Sequence, residues 1–129
     1  MPRGYSRERT SVHNLHYHFV WCPKYRKPVL TDEVSDRLDQ LIEEKADELD
    51  LDILRLAIQP DHVHLFITGT AKLDPNKIIQ QVKGYTSRNL REEFDFGLPS
   101  LWTRSYFVSS AGEVSSQTID EYIEAQTGR

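Results

Sequence analysis

Gln59-Pro60-Asp61-His62-Val63-His64-Leu65-Phe66-Ile67 is the stretch whose reading decides the fold. Pro-Asp marks a turn, and behind it the histidines alternate with apolar residues, among them Val63, Phe66 and Ile67, as in a half-buried strand. Strand residues two apart project from one face, roughly 6 to 7 Å from each other. His62 and His64 can therefore converge on one ion or one phosphate while Val63 packs into the core behind them. The same triplet also fits two polar side chains on a solvated face.

Upstream, residues 51–58 read as a strand carrying Ile53, Leu54, Leu56 and Ile58, so the Gln59-Pro60-Asp61 turn makes an antiparallel hairpin with 62–68. Before it lies a helix capped by Thr31, with Asp32 and Glu33 in its first turn and Val34, Leu38, Leu41, Ile42 and Leu49 in one stripe. Residues 31–52 hold ten acidic and two basic side chains, within a chain of net charge −4, so the remainder is mildly basic. Such a balance lets an acidic helix face solvent while another surface meets a polyanion.

Earlier still, 14–21 alternates as a strand, with Tyr17, Phe19 and Trp21 on one face and His16, His18 and Val20 on the other. His16 and His18 thus form a second histidine pair, with His16 expected at the surface. The loop Cys22-Pro23-Lys24-Tyr25-Arg26-Lys27-Pro28 places three bases around an aromatic between two prolines, which suits phosphate contact and base stacking or, equally, a charged surface turn.

Downstream, Asp74-Pro75 opens a second helix, Asp as cap and Pro at its first position. Ile78, Ile79, Val82, Leu90 and Phe94 supply its buried side. Gly84 is unfavourable there by about 1 kcal/mol relative to Ala, so one reading is a close approach to the helix backbone, with Lys83, Ser87 and Arg88 gripping phosphate, and the other a tolerated imperfection. Residues 101–109 read as a fourth strand with Trp102, Arg104 and Tyr106 on one face. Ser109-Ser110-Ala111-Gly112 is a flexible joint before a last helix, 114–126, that only Val114, Ile119 and Ile123 could dock. On that helix Tyr122 and Gln126 share a face; a half-buried, packing tyrosine is the plainer alternative.

The element order βαββαβ followed by a helix predicts an α+β, ferredoxin-like (RRM-like) four-stranded antiparallel sheet with two helices on one face. The first and third strands are then central neighbours. At 129 residues the chain suits a single domain. Cys22 is the only cysteine, which excludes an intrachain disulfide and a cysteine-rich zinc site. No apolar run reaches the ~20 residues of a membrane span, so a soluble, reducing, intracellular setting is expected.

Pro60-Asp61-His62-Val63-His64-Leu65-Phe66, preceded by Tyr17-His18-Phe19-Val20-Trp21 with Lys24-Tyr25-Arg26 and followed by Trp102, Ser105-Tyr106-Phe107 and Tyr122-Ile123-Glu124-Ala125-Gln126, closely resembles the TnpA-type single-tyrosine HUH transposases. These small enzymes belong to insertion sequences that move as single-stranded DNA, and the resemblance runs over 14–126 in the family's order and spacing. It implies that His62, His64 and Gln126 hold a divalent metal, Mg²⁺ or Mn²⁺, that Tyr122 is the nucleophile, and that no nucleotide cofactor is needed. The product would be a 5′-phosphotyrosine with a free 3′-hydroxyl. His18 is expected behind the metal ligands.

The resemblance further implies imperfect DNA hairpins as partners, a prokaryotic cytoplasm, and a homodimer in which the tyrosine helix of one subunit can complete the histidine site of the other, with cis or trans action in the resting dimer left open. The domain then divides into a core, 13–109, a hinge, 110–112 with Ala111 and Gly112, and a tyrosine-bearing helix, 113–127. The thinly apolar last helix fits a mobile, partner-docked element. Charge and position make Lys24, Arg26, Lys27, Lys83, Arg88 and Arg104 candidates for backbone contacts, and Tyr25 and Trp102 for stacking on bases.

Three other readings compete. A repeat-associated tyrosine transposase shares the histidine pair and the tyrosine but would act on host palindromes. A non-catalytic RRM-like module would carry aromatics where the third strand has Asp61-His62-Val63-His64. A zinc hydrolase would need H-E-x-x-H or H-x-H-x-D-H, and neither occurs.

Overall fold

The computed structural model describes residues 11–110 and 116–126. In chain order these form β1 (Ser11–Trp21), a 3-10 turn (Lys24–Arg26), α1 (Asp32–Glu48), β2 (Ile53–Gln59), β3 (His62–Thr70), α2 (Pro75–Glu93), β4 (Phe107–Ser109) and α3 (Ser116–Ala125). The sheet is antiparallel throughout with order β2-β3-β1-β4, the ferredoxin-like arrangement, and the two histidine-bearing strands are its central neighbours.

Strand alternation sorts the side chains onto two faces. Phe19, Trp21, Val63, Leu65 and Ile67 are fully buried on one face. There they meet Leu38, Leu41 and Ile42 of α1 and Ile78, Ile79, Val82 and Leu90 of α2 in one apolar cluster. The stripes read from the sequence are thus the packed stripes, since residues three or four apart share a helix face. The α2 start also holds: Asp74 Oδ1 accepts a hydrogen bond from the Lys77 amide at 2.9 Å. Thr31 takes the N-cap position of α1 but makes no side-chain cap bond.

The β2–β3 hairpin closes with Gln59 opposite His62 around Pro60 and Asp61, and the Pro60 carbonyl is held by the Leu30 amide at 3.0 Å. Gly69 in β3 is required by packing, because a Cβ there would lie 2.5 Å from Leu15 Cγ. Around Gly84, by contrast, a Cβ would meet open space, so no part of the described chain approaches that backbone.

The fourth strand differs from expectation. Only Phe107–Ser109 pairs with β1, while the preceding segment contributes a single bridge, Trp102 to Pro23. Trp102, Arg104 and Tyr106 therefore do not line one strand face. Trp102 turns into the core, edge-on to Trp21 at 5.9 Å between centroids, and its Nε1 donates to Thr86 Oγ1 at 3.1 Å. A buried indole needs such a partner for its N–H. Tyr106 is half-buried and edge-on to Phe19.

The other face of the sheet carries a second, smaller apolar cluster. Val20, Cys22 and Ile123 form it, with Phe107 and Tyr122 packed against them. It docks α3 onto the sheet of its own chain, the cis placement, where the sequence left cis and trans docking open. Of the three expected docking residues, Ile123 is buried; Val114 and the side chain of Ile119 lie outside the described residues, as do the expected hinge residues Ala111 and Gly112. No described helix is long and apolar enough to cross a membrane.

Candidate active site

Register builds the site. Directly paired strand residues present their side chains on the same face. His64 pairs with Val20, and Val20 with Phe107; in the neighbouring row Arg55 pairs with Phe66, Phe66 with His18, and His18 with Ser109. His62, His64 and His18 consequently meet on the face opposite the helical core. The rings of His62 and His64 lie 4.9 Å apart at 74° to each other. His18 stacks on Phe66 at 4.3 Å and 13°, which holds its plane.

Both members of the pair are gripped by the same nitrogen. Nδ1 of His62 lies 2.8 Å from Asp61 Oδ1 and Nδ1 of His64 lies 3.1 Å from His18 Nε2. The tautomer in which each Nδ1–H donates to that neighbour leaves each Nε2 with its lone pair, the pattern of metal-ligating histidines steadied from behind. Burial pushes the His64 pKa down to about 4, helped by the charges of His62, His18 and Arg55 and opposed by Asp120 of α3. His64 is accordingly a neutral imidazole at pH 7, the form that binds metal. His18 is lowered as well, by burial and then by Arg55. His16, expected at the surface, is partly buried.

The helix α3 brings Tyr122 to the same face. Its ring packs on Phe107 at 6.2 Å between centroids, and its hydroxyl oxygen is shielded from solvent. Phe107 and His64 stand two strands apart in one cross-strand row, roughly 10 Å by strand spacing. Gln126, at the end of α3, is buried, and its Oε1 accepts from Ser105 Oγ at 3.0 Å. Among the described residues no three His, Cys, Asp or Glu side chains cluster to hold an ion. The two imidazoles are the donors this face presents together, and a divalent ion on them would take phosphate or water at its remaining positions; the Gln126 amide oxygen is engaged by Ser105.

The bases singled out from the sequence have separate fates. Lys83 is half-buried and its ammonium is engaged, donating to the carbonyls of Thr103 at 2.7 Å and Ser105 at 3.0 Å rather than to phosphate. Its pKa is lowered to about 8 by burial. Trp102 cannot stack on a base because its ring is in the core. Arg26 has both ends of its guanidinium in use, Nε on Asp61 at 3.0 Å and Nη1 on Glu124 at 2.8 Å. Tyr25 and Lys27 are exposed, Lys24 half so. Arg104 is exposed in the loop before β4, and Arg88 is exposed on α2, across the sheet from the histidines. Ser105, Asp120 and Glu124 are residues of this face that the sequence alone does not single out; Asp61 stands beside His62 in sequence, close to the site but not as a metal ligand, whereas Glu124 meets Arg26 across 98 positions.

Fold and face together define an α+β domain with a histidine pair on its open sheet face and a helix-borne tyrosine laid beside it. The profile described as "Transposase IS200 like" matches residues 11–126. The chain is 32% identical to the ISDra2 transposase TnpA of Deinococcus radiodurans over 133 residues, covering 98% of this chain and 94% of that one. It is 25% identical to the transposase for insertion sequence element IS200 of Salmonella typhimurium, covering 88% and 77%. The crystal structure of a D. radiodurans transposase superposes with a TM-score of 0.84 at 32% identity, over 97% of this chain and all of that one. A REP-associated tyrosine transposase bound to a REP hairpin shares the fold at TM-score 0.61 and 14% identity, over 93% and 68%. This chain belongs to the IS200-like transposase family, whose activity is the cleavage and transfer of DNA.

Proposed function

We propose that this transposase cleaves and rejoins single-stranded DNA at the ends of an insertion sequence through a covalent tyrosine intermediate at His62, His64 and Tyr122. The observation that carries the reading is the matched grip on the two imidazoles, each tied through Nδ1 so that Nε2 is presented on the face where α3 lays Tyr122. With Gln126 as third ligand, a bound Mg²⁺ or Mn²⁺ would supply Lewis acidity to the scissile phosphate and its leaving oxygen. Asp61 and His18 orient the two ligating rings. The Tyr122 oxygen bonds to phosphorus as the bond to the 3′-oxygen breaks, leaving a 5′-phosphotyrosine and a 3′-hydroxyl, the proton lost by the phenol being balanced by the one gained at the 3′-oxygen. The phosphotyrosine conserves the diester's energy, so a second 3′-hydroxyl can reverse the step and join new ends.

Hairpin binding is extended to this chain from the hairpin-bound relative, and Lys24, Tyr25, Lys27 and Arg104 are the exposed or half-exposed residues proposed to carry DNA contact, with Arg88 lying across the sheet. The 32% identity to an insertion-sequence transposase, against 14% to the REP-associated one, supports action on an element's own ends. The working unit we propose is a homodimer, with α3 exchanged between copies during the reaction and docked in cis at rest.

The test is incubation with labelled single-stranded DNA carrying the element's end, with and without Mn²⁺. Wild type should form a metal-dependent covalent adduct and Tyr122→Phe none; an adduct with Tyr122→Phe would remove this nucleophile. Mixing His64→Ala with Tyr122→Phe should restore cleavage if the active site is shared, and leave both inactive if it is not.

A further inference from the structure

The Lys24–Arg26 turn contains two consecutive non-glycine residues in the left-handed region, Tyr25 at φ 60° and Arg26 at φ 54°. L-residues adopt that conformation at a cost of roughly 1 to 2 kcal/mol each, so it persists only where the surroundings demand it. Here it aims one guanidinium at two elements far apart in sequence. Nε reaches Asp61 at 3.0 Å, the carboxylate whose other oxygen holds His62 Nδ1 at 2.8 Å. Nη1 reaches Glu124 at 2.8 Å, two residues beyond Tyr122 on α3.

A continuous line of contacts therefore runs from the tyrosine helix through Arg26 and Asp61 to one of the two histidines. A planar guanidinium suits this, since its fork can serve two carboxylates at fixed angles, which a lysine cannot. Glu124 is 77% exposed and Arg26 30%. Exposed pairs of this kind contribute little to global stability. Their effect is on geometry.

We propose that Arg26 is a positioning residue for both halves of the active site: it fixes the carboxylate that orients His62 and, through Glu124, the seat of the tyrosine helix. This rests on the reading of His62 and Tyr122 given above. The role is distinct from contact with DNA, for which the charge of Arg26 alone would qualify it.

The two arms separate by measurement. In the metal-free protein, Arg26→Gln and Glu124→Gln should each raise hydrogen exchange of the α3 amides about two- to five-fold, the range of an exposed ion pair. Asp61→Asn should leave that exchange unchanged. For Mn²⁺ affinity the pattern inverts: Asp61→Asn and Arg26→Gln should weaken binding about ten-fold, within the range for residues that orient metal ligands. Glu124→Gln should not weaken it. Arg26→Lys should recover at most one arm. Arg26 alone among the three moves both readouts.

If Arg26→Gln left both at the wild-type level, the proposal would be overturned, as it would if the variant lost only hairpin affinity. Both measurements are made without turnover. A wild type that bound Mn²⁺ but formed no adduct would count against the nucleophile assignment and leave the pattern intact.

Discussion

At the residue scale, two side chains show how the fold uses positions whose sequence signal is ambiguous. Lys83 sits beside Gly84 on α2 in a phosphate-gripping context, yet its ammonium closes the loop at Thr103 and Ser105. Its folded pKa of about 8 is below the unfolded Lys value, so the unfolded chain binds more protons between pH 8 and about 10.5. The stability attributable to this group is therefore greatest above pH 10.5 and is lost as pH falls through 8. Urea unfolding at pH 7.5 and 9.5 should show wild type gaining about 1 to 2 kcal/mol on Lys83→Met over that interval. Gly69→Ala should cost about 1 to 3 kcal/mol in the same assay, because its Cβ would collide with Leu15 and must displace packed side chains.

At the scale of elements, the helices and central strands are legible in the sequence because their periodicities have packing to match. Val63, Leu65 and Ile67 alternate with the histidines, and each faces the core. The fourth strand is shorter than its composition suggests: 101–106 looks strand-like because Trp102 and Tyr106 are aromatic, but both are drawn to the core from an irregular segment rather than from a ladder. The tie of Lys83 to the loop carbonyls and the Arg26 bridge are illegible for another reason, since each depends on partners about 20 to 98 positions away that no local pattern marks. The docking of α3 rests on few apolar side chains, with Ile123 at the centre. Ile123→Ala should accordingly raise amide exchange within 120–126 by ten-fold or more while leaving β1 and β3 protected, since cavity formation of that kind costs roughly 2 kcal/mol or more. Loss of protection across the central strands would show instead that α3 is integral to the core.

At the scale of the molecule, the sheet separates two environments. The acidic α1 packs with α2 on one side, while the histidines, the Lys24–Arg26 turn and α3 share the other. A net charge of −4 is thus compatible with a DNA-binding face. Replacing Lys24 and Lys27 by Gln should reduce the slope of log affinity against log salt for single-stranded DNA by about 0.7 for each phosphate no longer neutralised. Replacing two α1 acids, Glu33 and Glu43, by Gln should not change it. The sealed thiol beneath α3 has one more consequence. Cys22 is fully buried in the cluster that α3 covers, and burial pushes its pKa up to about 12. The chain's sole sulfhydryl is therefore a native clock for the lifting of its lid: alkylation at pH 8 should proceed only in the moments when the tyrosine segment swings clear, and adding a cognate strand should change that tempo without any label being introduced.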